Sequence, residues 1–572
     1  MTDLHTSIYS LPHIPDDLTI CQFMLHSAHP LRPARNGVPC LIEDKTGAHV
    51  TIEQLQDDTY ALANALSATY HLHENDVVMI SSPNHIDYIV ALWSIFRVGA
   101  IASCSNPQFT ADELGCQLRL SRASLVIAHS STLETARSAA RIAGIPTDRV
   151  ILLDRPHSYP TQIPCIRDLI QDGLTQESVF IERDLEPGEG KTKVALLSWS
   201  SGTTGSPKAV AISHHGLIAN VLQMAVQNKV GEASSSRESR GYRPGDVAIG
   251  VLPFYHVAGL VINLHLVLFC AMSVVIVPKY NILDMLESIV RHRVTHLLIV
   301  PPQAVDLCKH PAVRNHDLSM VRYVMIGAAP VAREVQDQLF ELFPTAQIGQ
   351  AYGLTEMTTT VAMISGSQKR GPLGSGGQLL PGIQARVIRA DGSLAGYGEE
   401  GELIVKGPAA ALGYLDNQQA TSETFINGWV RTGDQVIISS AQEIFVVDRI
   451  KELLKVKGFQ VAPAELEGCL LSHPDVIDCC VVGVPDDYSG ELPRAYVVLS
   501  SDALQRTASS AAESSIIQNS IYKHVSDRKV SYKQLRGGVH FIPSIPKNGS
   551  GKILRRILRD MARDEMKVRA RL

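Results

Sequence analysis

Short apolar runs alternate with helical patterns through most of this chain, and that alternation restricts its fold more than any other feature. Val77-Val78-Met79-Ile80, Leu125-Val126-Ile127-Ala128, Val194-Ala195-Leu196-Leu197 and Leu297-Leu298-Ile299-Val300 are each bounded by polar or turn residues. Buried strands of a parallel sheet have this character. Helical spacing fills the intervals, as from Ile86 to Phe96 and from Glu334 to Phe343. The pattern predicts an α/β architecture. From about Gly377 the texture changes. Ala385-Arg386-Val387-Ile388 and Glu402-Leu403-Ile404-Val405 are separated by Asp391-Gly392 and by Gly396 to Gly401, which predicts hairpins in a β-rich subdomain over about 377–447.

At 572 residues the chain is too long for one core, so roughly two to four folded units are expected. It is 45% hydrophobic and 19% charged, enough apolar material to fill those cores and to exclude a disordered protein. The 52 Lys and Arg are outnumbered by 57 Asp and Glu, and the net charge of −5 argues against a general nucleic-acid binder. The ten cysteines lack paired C-x-x-C clusters, so neither a structural zinc nor a disulfide scaffold is expected, and a reducing compartment suits them. Val257 to Val277 is long and apolar but contains Asn263 and His265 and ends in β-branched residues. It is expected to be a buried helix followed by a buried strand, with no transmembrane segment. The first residues carry no secretory signal pattern. At the other end, Ala570-Arg571-Leu572 follows basic Lys567 and Arg569 and matches the S-K-L type of peroxisomal address, implying an import receptor as partner. The peroxisome is the expected compartment, with the cytoplasm as alternative. Gly231 to Arg240 and Ala508 to Ser515 are polar and of low complexity and are expected to be loops.

Two motifs lead nowhere. Gly396-Tyr397-Gly398-Glu399-Glu400-Gly401 fits G-x-G-x-x-G, but it precedes a strand instead of joining a strand to a helix, so a turn is expected. His73-Glu74 begins like a zincin motif, yet Val77 stands where the second histidine belongs.

The chemistry is concentrated in Leu196-Leu197-Ser198-Trp199-Ser200-Ser201-Gly202-Thr203-Thr204-Gly205-Ser206-Pro207-Lys208. A buried strand runs into small hydroxyl residues and glycines that end in a lysine. Glycines let backbone N–H groups approach an anion, hydroxyls add donors and Lys208 adds charge, as a polyphosphate requires. The spacing is not G-x-x-x-x-G-K-[ST], so a helix N-terminus of the usual P-loop kind is not expected.

This segment resembles the phosphate loop of the adenylate-forming superfamily, which includes acyl-CoA synthetases, luciferases and peptide-synthetase adenylation domains. Further blocks follow in the order of that family: Gly327-Ala328-Ala329-Pro330, Gln350-Ala351-Tyr352-Gly353-Leu354-Thr355-Glu356, Gly401-Glu402-Leu403-Ile404-Val405-Lys406-Gly407 and Gly428-Trp429-Val430-Arg431-Thr432-Gly433-Asp434. Then come Val447-Asp448-Arg449-Ile450-Lys451-Glu452, Lys457-Gly458-Phe459-Gln460-Val461-Ala462-Pro463-Ala464-Glu465 and Pro546-Lys547-Asn548-Gly549-Ser550-Gly551-Lys552-Ile553-Leu554-Arg555. The wording is most similar to 4-coumarate–CoA ligase-like enzymes. The resemblance implies a large AMP-binding part, residues 1–450, made of two α/β subdomains and the β-rich one. A small mobile α+β domain, residues 451–572, would carry the catalytic lysine.

It also implies the reaction. A carboxylate attacks the α-phosphorus of ATP, expels pyrophosphate and becomes an acyl-AMP; coenzyme A then takes the acyl group. An anion approaches a polyanion in the first step, so charge neutralisation is its main requirement. By resemblance, Ser201, Gly202, Thr203, Thr204, Gly205 and Lys208 hold the β- and γ-phosphates, Thr355 touches the α-phosphate and Glu356 binds Mg2+. Tyr352 offers a face to adenine, Gly327 and Ala328 let the backbone approach it, Asp434 accepts the ribose hydroxyls, and Arg449 reaches ribose or phosphate. For Asp448 a surface ion pair is as good a reading as a functional one. Lys552 would bridge carboxylate and α-phosphate, Lys455 and Gly458 would serve the thioester step and line the CoA channel, and Gln460 would support adenylation. Lys552 and Lys455 are wanted at one site by different half-reactions, so the small domain would turn about a hinge near Lys451.

Tyr255, His256, Gly353, Thr359 and Thr360 are implied for the acyl pocket, with His256 beside the carboxylate; a core histidine is the competing reading. Met357-Thr358-Thr359-Thr360 departs from the small residues and Pro-Val of plant coumarate ligases, which leaves an organic acid as substrate but not hydroxycinnamate in particular. A stand-alone enzyme loading a carrier protein is the alternative; a luciferase-like oxygenase and a degenerate nucleotide-binding module are weaker ones.

Overall fold

The computed structural model describes residues 4–155, 162–201, 207–231, 240–331, 333–486, 488–548 and 551–569. Within them the apolar runs are strands, Val77–Ser81, Leu125–Ala128, Val194–Ser201 and His296–Ile299. The two helical stretches are Tyr88–Arg97 and Arg333–Leu342. The protein is a mixed α/β structure with a large N-terminal part and a smaller C-terminal one.

Two sheets build the large part. In the first, Val194–Ser201, Ile101–Ser105, Val77–Ser81, Leu125–Ala128 and Val150–Leu152 lie parallel in that order. Pro207–Ser213 returns antiparallel beside Val194–Ser201, and Gly413–Tyr414 adds to its outer edge. In the second, six parallel strands run Leu41–Glu43, Ser273–Ile276, Val247–Gly250, His296–Ile299, Tyr323–Ile326 and Gln347–Gly353. Beyond Gln347–Gly353 the pairing becomes antiparallel, through Thr360–Met363, Ser375–Leu379, Glu443–Arg449, Trp429–Ile438, Glu400–Lys406 and Gln384–Ile388. The β-rich region is therefore hydrogen-bonded to the α/β sheet, and its strands start at Thr360, before the change in sequence texture. One apolar cluster joins the sheets, from Ile80 and Ile212 through Tyr88, Trp93 and Phe254 to Leu298 and Met363.

The long apolar stretch is a buried helix and strand. A π-helix, Ala258–Leu266, continues into Val267–Phe269, and Ser273–Ile276 follows. Its polar residues are built into the core: Trp93 Nε1 donates to His265 Nε2 at 3.1 Å, and Asn263 Nδ2 donates to the Ile249 carbonyl at 3.2 Å. Among the described residues no helix is long and apolar enough to cross a membrane. All ten cysteines are free thiols. The Gly396 to Gly401 motif is a turn leading into Glu400–Lys406.

From Leu454 onward a third sheet forms, with Phe459–Val461, Leu454–Val456, Gly490–Leu499 and Val476–Asp486 antiparallel and Val539–Phe541 parallel to Gly490–Leu499. Helices Pro463–Leu471 and Ala511–Ser526 cover one face, and Arg555–Arg569 packs on the other through Leu558 and Ala562. The expected loop over Ala508 to Ser515 is wrong. Helices Ser501–Ser509 and Ala511–Ser526 meet there, and the Ser510 side chain caps the second by accepting from Ala512 N–H. Ser509 and Ser510 mark helix ends, while Ile517, Ile521 and Val525, four apart, bury the face that the composition of the stretch concealed. The other expected loop, Gly231 to Arg240, lies mostly outside the described residues.

Candidate active site

The sites on the large part gather where the two sheets meet. Val194–Ser201 and Pro207–Ser213 form a hairpin with Ser201 opposite Pro207, so the phosphate segment joins two strands and Lys208 stands on the returning one. Gly202, Thr203, Thr204 and Gly205 lie outside the described residues. Lys208 Nζ sits over the Tyr414 ring, 4.8 Å from its centroid, and Tyr414 OH donates to Glu356 Oε1 at 2.8 Å. Tyr414 arrives by a crossover, since Gly413–Tyr414 lies in sequence between the β-rich strands Glu400–Lys406 and Trp429–Ile438 but pairs with Pro207–Ser213. Glu356 belongs to a 3₁₀ turn, Thr355–Met357. The Ala411 N–H donates to the Glu356 carbonyl at 2.9 Å, and Thr358 Oγ1 donates to the Ala409 carbonyl at 2.7 Å. Thr358 is held at φ 65°, a left-handed conformation rare for a β-branched residue and sustained here by those ties.

The second group lies on the antiparallel side. Tyr352, near the end of Gln347–Gly353, donates its hydroxyl to Asp434 Oδ2 at 2.6 Å. Asp434 faces Arg449 across paired strands, and Arg449 Nε lies 3.3 Å from Asp434 Oδ1. Burial pushes the Asp434 carboxyl up from its ordinary pKa, while Arg449, Tyr352 and Lys552 pull it back. Gly327 and Ala328 follow the strand Tyr323–Ile326, and Ala328 takes a left-handed φ of 75°.

Lys552 connects the two groups. It comes from the small C-terminal unit, where Asn548 Oδ1 accepts from its backbone N–H at 2.8 Å, and its half-buried side chain feels the charges of Asp434, Glu356 and Arg449 of the large part. Burial and the neighbouring Arg449 lower its pKa to about 8, opposed by Asp434, Glu452 and Glu356. His256 is close enough to feel the Lys552 charge; burial first and that cation second hold it down at about 4. The neutral imidazole accepts the Ala258 N–H at Nδ1 (3.2 Å), which leaves its proton on Nε2. An ammonium and an imidazole N–H are thereby within electrostatic reach of one another.

The implied pocket residues lie on two segments, each held by a buried asparagine. Gly353 stands opposite Thr360, and a Cβ on Gly353 would lie 1.8 Å from the Thr359 carbonyl oxygen, so no larger residue fits. Asn220 fixes Thr360 by accepting its N–H at 3.1 Å and donating to its carbonyl at 2.8 Å. Asn84 fixes the segment of Tyr255 and His256, accepting from Phe254 N–H at 2.8 Å and donating to the carbonyls of Gly250 and Leu252, both at 2.9 Å. Tyr414, Asn84 and Asn220 escaped the sequence reading. Each is a lone polar residue whose partners lie far away in the chain, and no local spacing announces it.

The structure leaves other candidates apart. Lys455, Gly458 and Gln460 are exposed on the hairpin Leu454–Val456/Phe459–Val461, where Lys455 and Gln460 face one another. Lys451 lies in the turn between Glu443–Arg449 and that hairpin. Asp448 is no surface ion pair: it is 7% exposed and accepts the Ala464 N–H at 3.0 Å, in the first turn of Pro463–Leu471.

Residues 30–415 match the model of the AMP-binding enzyme, and residues 465–552 match that of the AMP-binding enzyme C-terminal domain. The chain belongs to the AMP-binding enzyme family. Its relatives include 4-coumarate–CoA ligase 1 of Arabidopsis thaliana, 34% identical over 91% of this chain and 89% of that one. Acyl-CoA ligase AFT1-1 of Alternaria alternata is also 34% identical, over 93% of this chain and 92% of the relative. Among solved structures, the anthranilate CoA ligase AuaEII in complex with anthranoyl-AMP superposes with a TM-score of 0.81 at 22% identity, covering 98% of this chain and 99% of that one. In class this AMP-binding enzyme is an acyl-CoA synthetase, an AMP-forming acid–thiol ligase.

A pH dependence follows from Lys552. Its ammonium is the useful form, and the free enzyme loses it as pH rises through about 8. The kcat/KM for ATP in pyrophosphate exchange reports the free enzyme and is expected to fall about tenfold per pH unit above that point. His256, neutral above about 4, adds no acidic limb near neutrality. Lys552→Arg should move the alkaline fall upward; an alkaline limb that stays in place would assign it to another group.

Proposed function

We propose that this chain activates an organic carboxylic acid as its acyl-AMP and passes the acyl group to coenzyme A. The observation that carries this is Lys552 of the small unit, half-buried within electrostatic reach of Asp434, Glu356, Arg449 and His256. Nucleotide-side and carboxylate-side groups converge there on one cation.

Each residue then has a physical task. Lys208 and the hydroxyl loop counter the β- and γ-phosphate charge. Tyr352, Ala328 and Asp434 hold the nucleoside, with Asp434 kept in place by the Tyr352 hydroxyl and Arg449. Thr355 reaches the α-phosphate. His256 Nε2–H and the Lys552 ammonium hold the carboxylate against the α-phosphorus and stabilise the negative charge that spreads over phosphate oxygens during displacement. Lys552 loses part of its burial cost when phosphate replaces solvent beside it. Closing the site around these groups also keeps water from the mixed anhydride.

Mg2+ suits the site. Glu356, held by its Tyr414 hydrogen bond, is the carboxylate at hand. An ion bound mainly by phosphate oxygens and water asks for such a sparse protein contribution. When bound, it would supply further neutralisation of the phosphates, held on the protein by Glu356.

Lys455 and Gly458 belong to the second half-reaction. They are exposed on the hairpin while Lys552 is inserted, and a turn of the small unit about Lys451 would exchange the two. Tyr255, Gly353, Thr359 and Thr360 line the acyl side, and Gln460 assists adenylation. The terminal Ala570-Arg571-Leu572, outside the described residues, is proposed as a peroxisomal address on sequence alone.

Two measurements test these proposals. Purified enzyme with ATP, Mg2+ and CoA is offered aromatic, short-chain and long-chain acids, and the products are weighed. A CoA thioester with AMP, lost on chelating Mg2+, is expected; a product formed only with an acyl-carrier protein would replace CoA as acceptor. A fluorescent protein carrying the last eighteen residues should appear in peroxisomes, and diffuse signal would reject the address.

A further inference from the structure

The helix Pro463–Leu471 of the small unit is held at both ends by the large part. At its N-terminus, Asp448 of the last large-part strand accepts the Ala464 N–H at 3.0 Å. At its C-terminus, Lys309 donates from Nζ to the Leu471 carbonyl at 3.0 Å and to the Val476 carbonyl at 2.7 Å. Leu471 is the last residue of the helix and Val476 the first of the following strand. An acid at the positive end and a cation at the negative end both complement the helix dipole and fill its unused backbone groups.

The two ends differ in their distance from the pivot. Asp448 precedes Lys451 by only a few residues and stays near it in any rotation. Lys309 grips the far end, roughly 13 Å along the helix axis. It closes a docking helix, Pro301–Lys309, whose other end touches the loop of the catalytic lysine: a Cβ at Gly551 would sit 3.2 Å from Val300 Cγ2. Between them, Asp306 feels the charge of Lys547, which is paired with Asp478 in the small unit. One helix of the large part thus meets the small unit at both ends while Lys552 is inserted.

We propose that Lys309 is a latch that favours the docked arrangement for adenylation and is released when the small unit turns for thioester formation. This rests on the two-step reaction proposed above. Lys309 touches no reacting group and is a positioning residue: its two hydrogen bonds exist only while Leu471 and Val476 lie against the docking helix. Breaking them returns the ammonium to water, so the latch biases the equilibrium without locking it.

The test separates the half-reactions, using the best acid from the product panel. Pyrophosphate–ATP exchange measures adenylation; a single turnover of preformed acyl-adenylate with CoA measures the second step. Lys309→Met should lower the ratio of the first rate to the second by roughly tenfold or more, the scale of at least one charge-assisted hydrogen bond lost from one state alone. Lys309→Arg, which keeps donors and charge, should restore much of the ratio. If Lys309→Met does not fold, Lys309→Gln carries the same comparison. An unchanged ratio, or an equal loss in both half-reactions, would overturn the latch. The wild-type enzyme must run both steps in the same assay, so a failure of the reaction assignment would show there first.

Discussion

A lysine from one folded unit is half-buried within reach of the charges of another, and the arrangement of the site depends on that fact. Removing an ammonium from water is costly unless its neighbours compensate. Here Asp434, Glu356 and Glu452 compensate in part, and Arg449 works against them. The balance lowers the Lys552 pKa to about 8, and in the proposed reaction an incoming polyanion relieves the deficit. A cation in that condition contributes more when the phosphate charge it faces increases, which is the requirement for speeding displacement at phosphorus.

The fold supplies the convergence. The parallel strands His296–Ile299, Tyr323–Ile326 and Gln347–Gly353 lead into the segments with Gly551's contact, Ala328 and Tyr352. The change to antiparallel pairing after Gln347–Gly353 then brings Asp434 and Arg449 alongside. The first sheet contributes Lys208 from its hairpin, and the crossover to Gly413–Tyr414 ties that hairpin to Glu356. Tyr414 therefore joins a phosphate-side lysine to the carboxylate proposed for Mg2+, although the three residues lie far apart in sequence. The small unit contributes Lys552 to these groups, while Lys455 is exposed on its own hairpin.

Much of this was legible in the chain. Buried strands announce themselves by apolar runs, and the helix–strand nature of Val257 to Val277 followed from its polar residues and β-branched end. The site blocks carried Lys208, Tyr352, Glu356, Asp434 and Lys552 by resemblance, and the structure brings the described ones together. Composition misled at Ala508 to Ser515, where serines cap helices whose apolar faces begin further on. It was silent at Asn84, Asn220, Tyr414 and Lys309, because a hydrogen bond to a backbone carbonyl or a distant side chain leaves no periodic trace. Asp448 was undecided from sequence and acquires a role only once the helix it caps is placed beside it.

The central claim is that Lys552 is the cation of adenylation and has no part in the transfer to the thiol. The most direct measurement compares Lys552→Ala with the parent in the two half-reactions. Pyrophosphate–ATP exchange is predicted to fall by roughly a hundredfold or more, while CoA thioester formation from supplied acyl-adenylate stays near the parent rate. Exchange that survives the substitution unchanged would contradict the account.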